Sequence, residues 1–87
     1  MIQMHYLKQL AVIAKNRTLS EAAEELGVTQ SALSKSMQKL EQLLGVELFE
    51  RRKNRITLNE RGLYAAKLSE KLIIANEEAV EKIRSFK

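Results

Sequence analysis

"VTQSALSKSMQKLEQLLG", Val28 to Gly45, places small polar residues where a helix begins and follows them with leucines at helical spacing. Leu33, Met37, Leu40 and Leu44 step by four, three and four residues, which predicts one stripe facing a core. Gln30, Ser31, Ser34, Lys35 and Gln38 fall on the other side, with no acid before Glu41. Amides, hydroxyls and a cation near a helix N-terminus suit base edges and phosphates, and the helix dipole favours an anion at that end. The spacing therefore points to a helix that enters the major groove of DNA. The plainer alternative is a surface helix that is polar outside because all surface helices are.

What precedes this stretch bears on that choice. Thr29 is an N-cap candidate and Gly45 a stop. In Thr18-Leu-Ser-Glu21 the Thr18 hydroxyl can accept from the Glu21 amide while the Glu21 carboxylate reaches back to the Thr18 amide, a capping box. It starts a helix through Ala22, Ala23 and Leu26 to Gly27, after which Val28 is expected to be buried in a tight turn. The alanines let this helix cross close over the next, as a helix-turn-helix requires, although other small bundles use alanine the same way. Upstream, Leu7, Leu10, Ala11 and Ala14 give one apolar helical face between Met4 and Lys15. The three glycines read as punctuation where helices stop or bend.

Downstream, Leu48–Arg51 and Arg55–Leu58 alternate in character, with a turn at Lys53-Asn54, and predict a small hairpin, or wing. Arg51, Arg52, Lys53 and Arg55 crowd around it, whereas Glu21, Glu24 and Glu25 make the second helix acidic. Such cations can straddle phosphates and fix register without reading sequence. A charged hairpin tip also serves simply to stay solvated and resist edge pairing. Asn59 then caps a last helix from Glu60 to about Phe86. Ala65, Leu68, Leu72, Ala75 and Ala79, continued imperfectly by Ile83 and Phe86, have coiled-coil spacing, and Ala66, Ile73 and Val80 form a neighbouring strip. Two strips imply two neighbours: the rest of the domain, and the same helix of a second chain in a two-fold dimer. The alternative is a monomer in which both strips pack on the first helix.

Composition limits the remaining classes. The chain has 87 residues and a formal charge of +4, which suggests one small unit: a winged helix-turn-helix over 1–59 and a linker or dimerisation helix over 60–87. There is no cysteine, and His5 is the single histidine, which argues against disulfides, thiolate catalysis, metal sites and any cofactor. No paired acids, nucleophile–base set or phosphate loop suggests an enzyme. The N-terminal residues lack a secretory pattern and no apolar run reaches membrane-spanning length, so a cytoplasmic protein without membrane contact is expected. Two classes remain: a DNA reader, and a helical interaction module whose long helix binds a protein partner.

The run "LKQLAVIAKNRTLSEAAEELGVTQSALSKSMQKLEQLLGVELFERRKNRITLNERG", Leu7 to Gly62, resembles the N-terminal DNA-binding domain of LysR-type transcriptional regulators, and the helix after it resembles that family's linker helix. The resemblance implies a mainly α fold, a three-helix core with a hairpin wing, that binds double-stranded, partly palindromic promoter DNA. It implies a homodimer through the linker helix, here Leu68, Leu72, Ala75, Ala79 and Ile83, and tetramers of the intact regulator. A small-molecule effector would bind a C-terminal domain absent from this chain. Thr29, Gln30, Ser31, Ser34 and Lys35 fall on the family's reading-helix contacts and Arg51 on its wing arginine, with Arg52, Lys53 and Arg55 as weaker transfers. This chain departs from the family pattern with Ala32 for proline, Lys35 for arginine, Arg17 and Leu19 for glycine and phenylalanine, and Asn59 for threonine. Lys35 keeps charge but lacks the planar fork that grips guanine. Arg17, just before the second helix, is placed to reach a phosphate.

Overall fold

The computed structural model describes residues 2–87; Met1, the first residue of the expected 1–59 unit, lies outside them. Among the described residues the chain forms α1 (Met4–Lys15), α2 (Leu19–Leu26), α3 (Gln30–Leu44), β1 (Phe49–Arg52), β2 (Arg55–Leu58) and α4 (Glu60–Ser85). Capping chemistry sets most of these boundaries. The Thr18, Thr29 and Asn59 side chains accept hydrogen bonds from the amides of Glu21, Ala32 and Gly62, which satisfies donors that a first helical turn leaves free. Gly27 and Gly45 close α2 and α3 in the left-handed conformation, at φ of 73° and 75°. At the Thr18–Glu21 capping box the reciprocal bond differs from the expectation: the Glu21 carboxylate takes the amide of Arg17, not Thr18, at 3.0 Å.

Leu10 and Ile13 of α1, Leu19, Ala22 and Ala23 of α2, and Leu33, Met37 and Leu40 of α3 form the core, with Leu48, Phe49 and Ala66 closing it. Ala22 is fully buried and Ala23 nearly so, both in the core that α2 shares with α1 and α3. Removing such large apolar side chains from water is worth roughly 1.5–3 kcal/mol each, which is how an 87-residue chain holds three short helices together.

Four expectations are corrected, three of them for apolar side chains. Ala14 is exposed and Ile13 buried in its place, because Ala14 borders a shallow cavity, also lined by Leu58 and Leu63, that a methyl is too short to fill. Val28 is exposed: its amide donates to the Ala23 carbonyl at 3.0 Å, so the backbone closes the turn and the side chain stays on the surface. Leu44 is exposed, since α3 has fifteen residues against eight in α2 and its last turn outruns its cover. Gly62 is no stop signal. It is buried in the first turn of α4, where a Cβ would overlap the Leu48 carbonyl oxygen and press on the Leu58 side chain.

The hairpin is antiparallel, pairing Phe49 with Leu58, Glu50 with Thr57, Arg51 with Ile56 and Arg52 with Arg55. Lys53 takes a left-handed φ of 52° in the connecting turn. β1 is anchored from below by Phe49 and β2 by half-buried Ile56 and Leu58, so the alternation seen in sequence becomes one face on the core and one in solvent in β2, whereas in β1 only Phe49 is buried and Arg51 on the same side stays exposed. α4 packs on α1 through its first turns and then extends beyond the core, giving the molecule a long axis of 55 Å.

Candidate nucleic-acid interface

The first turns of α3 present Gln30, Ser31, Ser34, Lys35 and Gln38 around one open surface depression. Gln30, Ser31, Lys35 and Gln38 are exposed and Ser34 is half-buried. No acidic residue stands in the first turn. Among the described residues, none of these five side chains hydrogen-bonds elsewhere in the chain, so donors and acceptors remain available. The Thr29 hydroxyl is differently placed, accepting the Ala32 amide at 3.0 Å. That bond leaves its proton free to donate, so a cap and an outward contact are compatible.

The wing places its four cations in distinct surroundings. Arg52 and Arg55 face each other directly across the strands, an arrangement of like charges that destabilises a hairpin unless an anion lies against it. Arg52 also meets Glu50 at 3.8 Å, with both side chains largely in solvent, a contact worth little there. Lys53 is at the exposed tip. Arg51 points back toward the body and pairs with Glu41 of α3, Nη2 to Oε1 at 3.3 Å.

Glu41 is a residue that the sequence reading passed over. Its other oxygen accepts the amides of Leu48 at 2.7 Å and Phe49 at 3.2 Å, and its side chain is only 11% exposed. One carboxylate thus fastens the reading helix to the start of the wing and satisfies two amides that lack strand partners. The available signal was its isolation as the sole acid of α3, three positions after Gln38 on the same polar side. Two further links were not anticipated: Ser36 of α3 donates to the Gln9 side chain of α1, and buried Ser69 of α4 turns its hydroxyl back to the Ala65 carbonyl at 2.8 Å.

On α4, the side toward the core is made by Gly62, Ala66 and Ser69, with Ala65 and Ile73 half-buried. Val80 is exposed, because the helix has left the core by that point. Leu68, Leu72, Ala75, Ala79 and Ile83 are all exposed. The monomeric arrangement in which both strips pack on α1 is therefore not what forms. Tyr64 is largely exposed and Met37 is core. Among the described residues no helix is long and apolar enough to cross a membrane.

Residues 4–63 match the sequence model of a family described as "Bacterial regulatory helix-turn-helix protein, lysR family". The chain is 34% identical over 84 residues to a probable RuBisCO transcriptional regulator of Thalassiosira pseudonana, covering 97% of this chain and 27% of that protein. It is 35% identical over 81 residues to the HTH-type transcriptional regulator MetR of Buchnera aphidicola, covering 93% and 26%. The chain thus spans about a quarter of the length of these curated relatives. Its fold is similar to that of CbnR DBD in a crystal structure of its DNA complex, with a TM-score of 0.88, 26% identity and 97% coverage of each chain. It is similar also to Vibrio fischeri DarR, crystallised in complex with DNA, with a TM-score of 0.86 and 30% identity over 97% of this chain and 29% of that one.

Proposed function

This chain belongs to the lysR family of bacterial regulatory helix-turn-helix proteins, and from that premise we propose that it is the promoter-binding part of a transcriptional regulator. The N-terminal half of α3 enters the major groove, where Gln30, Ser31, Ser34, Lys35 and Gln38 meet base edges and Thr29 the adjoining backbone. The wing cations Arg51, Arg52, Lys53 and Arg55 lie on flanking phosphates and set register without selecting bases. The role is binding, not catalysis, and the cytoplasm is the matching compartment.

Two copies join through Leu68, Leu72, Ala75, Ala79 and Ile83, so that paired reading helices meet half-sites of a partly palindromic operator about 34 Å apart. An effector site and the contacts of a tetramer belong to further residues of the longer regulators that this chain matches in part.

One observation carries the reading: an unpartnered, acid-free polar face at the start of α3 stands beside a hairpin whose tip sets Arg52 opposite Arg55. The direct test titrates the protein into a labelled duplex bearing an imperfect palindrome from upstream of its own gene, and into a scrambled duplex, each at two salt concentrations. Tight, salt-sensitive preference for the first is expected. Binding to neither duplex would transfer the weight to α4 as a protein-binding helix.

A further inference from the structure

Between the loop before α2, the first residue of α3 and the wing lies a notch lined by Arg17, Ser20, Gln30, Asn54, Arg55 and Thr57, among others. Two arginines from sequence-distant elements thus line one small cavity, and no acidic residue lines it. Neither arginine has an acidic partner within ion-pair distance among the described residues, in contrast to Arg51 and Arg52. The nearest acid in sequence, Glu21, has its carboxylate engaged by the Arg17 backbone amide and lies outside the lining. Like charges in one recess repel unless an anion lies between them. Hydroxyl and amide groups of Ser20, Thr57, Gln30 and Asn54 complete a lining able to donate to oxygen.

The position of the notch identifies the anion. Gln30 lines both this notch and the depression along the reading face of α3, so the two surfaces are continuous. A duplex seated on that face brings its sugar-phosphate backbone to the notch. Guanidinium groups suit phosphate oxygens because their planar forks donate two bonds at a time.

We propose that Arg17 and Arg55 clamp one and the same backbone phosphate of the bound duplex, from the side of α2 and from the side of the wing. The inference rests on the DNA-binding reading above. The clamp fixes the distance between the wing and the loop before α2 when DNA is bound, across the notch that Gln30 also lines, and so sets how deeply Gln30 enters the groove. Arg17 is a positioning residue that a reading of the wing and the reading helix alone leaves out.

The test is a scan of the operator duplex with single uncharged methylphosphonate substitutions, against the wild-type chain, Arg17→Ala, Arg55→Ala and the double variant. Both arginines are exposed, and circular dichroism checks that each variant is folded. One phosphate per half-site should cost the wild type roughly tenfold in affinity when neutralised, the order of one charge-assisted hydrogen bond. The double variant should be insensitive at that position and fully sensitive at phosphates held by Lys53. Each single variant should lose sensitivity at that position and nowhere else. Variants that blank two different phosphates, or that keep the wild-type profile, overturn the clamp while leaving DNA binding intact. A wild-type chain that binds no duplex overturns both.

Discussion

Gly62 in the first turn of α4 lies against the carbonyl of Leu48 so closely that a β-carbon there would overlap the oxygen. The same carbonyl accepts the Asn59 amide at 2.9 Å, while the Asn59 side chain donates to the Glu47 carbonyl at 3.1 Å and accepts the Gly62 amide at 2.7 Å. Wing and long helix are locked at one point, and only a residue without a side chain fits it. Gly62→Ala should destabilise the fold by roughly 1–3 kcal/mol, as forced overpacking does. Gly27→Ala, left-handed but with open space around it, should cost about 1–2 kcal/mol from backbone strain alone. Urea titrations of both variants, with a wing-directed proteolysis assay, separate the cases: only Gly62→Ala should loosen the hairpin.

Glu41 joins α3 to β1 through three acceptor contacts. Glu41→Ala leaves the partly buried Leu48 and Phe49 amides without partners and should cost about 1–3 kcal/mol. Arg51→Ala removes only the more exposed end of the network and should cost clearly less. Equal losses in chemical denaturation would show that the ion pair, not the amide contacts, fastens the wing.

Salt dependence distinguishes the wing cations. Lys53→Ala should flatten the slope of log affinity against log salt by about 0.9 for a lost phosphate contact. Arg51 already faces a carboxylate, so Arg51→Ala should flatten it less. A slope unchanged by Arg51→Ala would remove that arginine from the phosphate contacts.

Base reading rests on the exposed amides and the cation of α3. The combined substitution Gln30→Ala, Ser34→Ala and Lys35→Ala should erase the preference for the operator over a scrambled duplex, at roughly 1–3 kcal/mol for each bidentate pair lost, while salt-sensitive binding persists through the wing. Discrimination that survives the triple change would rule out this face as the reader.

Leu72 is 51% exposed in the single chain. Leu72→Glu should leave the monomer folded but place like charges in the seam between two copies. Sedimentation velocity should show the wild type as a dimer and the variant as a monomer, with weakened binding to a palindrome and little change on a half-site. A wild type that sediments as a monomer would refute the seam.

Local rules determined much of this protein from its sequence. Hydroxyl and amide caps, two left-handed glycines and leucines at helical spacing specify where helices begin, end and turn their apolar sides, because these signals act within one or two turns of chain. The polar face of α3 and the cationic hairpin were legible for the same reason. Tertiary structure decided what depends on separate elements meeting. Glu41 reads as a surface acid until the start of β1 comes to it, and Gly62 reads as a break until Leu48 lies against it. Val28 and Leu44 have core-like side chains, but burial depends on whether a neighbour extends far enough to cover them. Likewise Arg17 and Arg55, thirty-eight positions apart in the chain, share a notch only because the wing folds back over the start of α2. Periodicity fixes which side of an element is apolar; packing alone fixes which residues from different elements face one another.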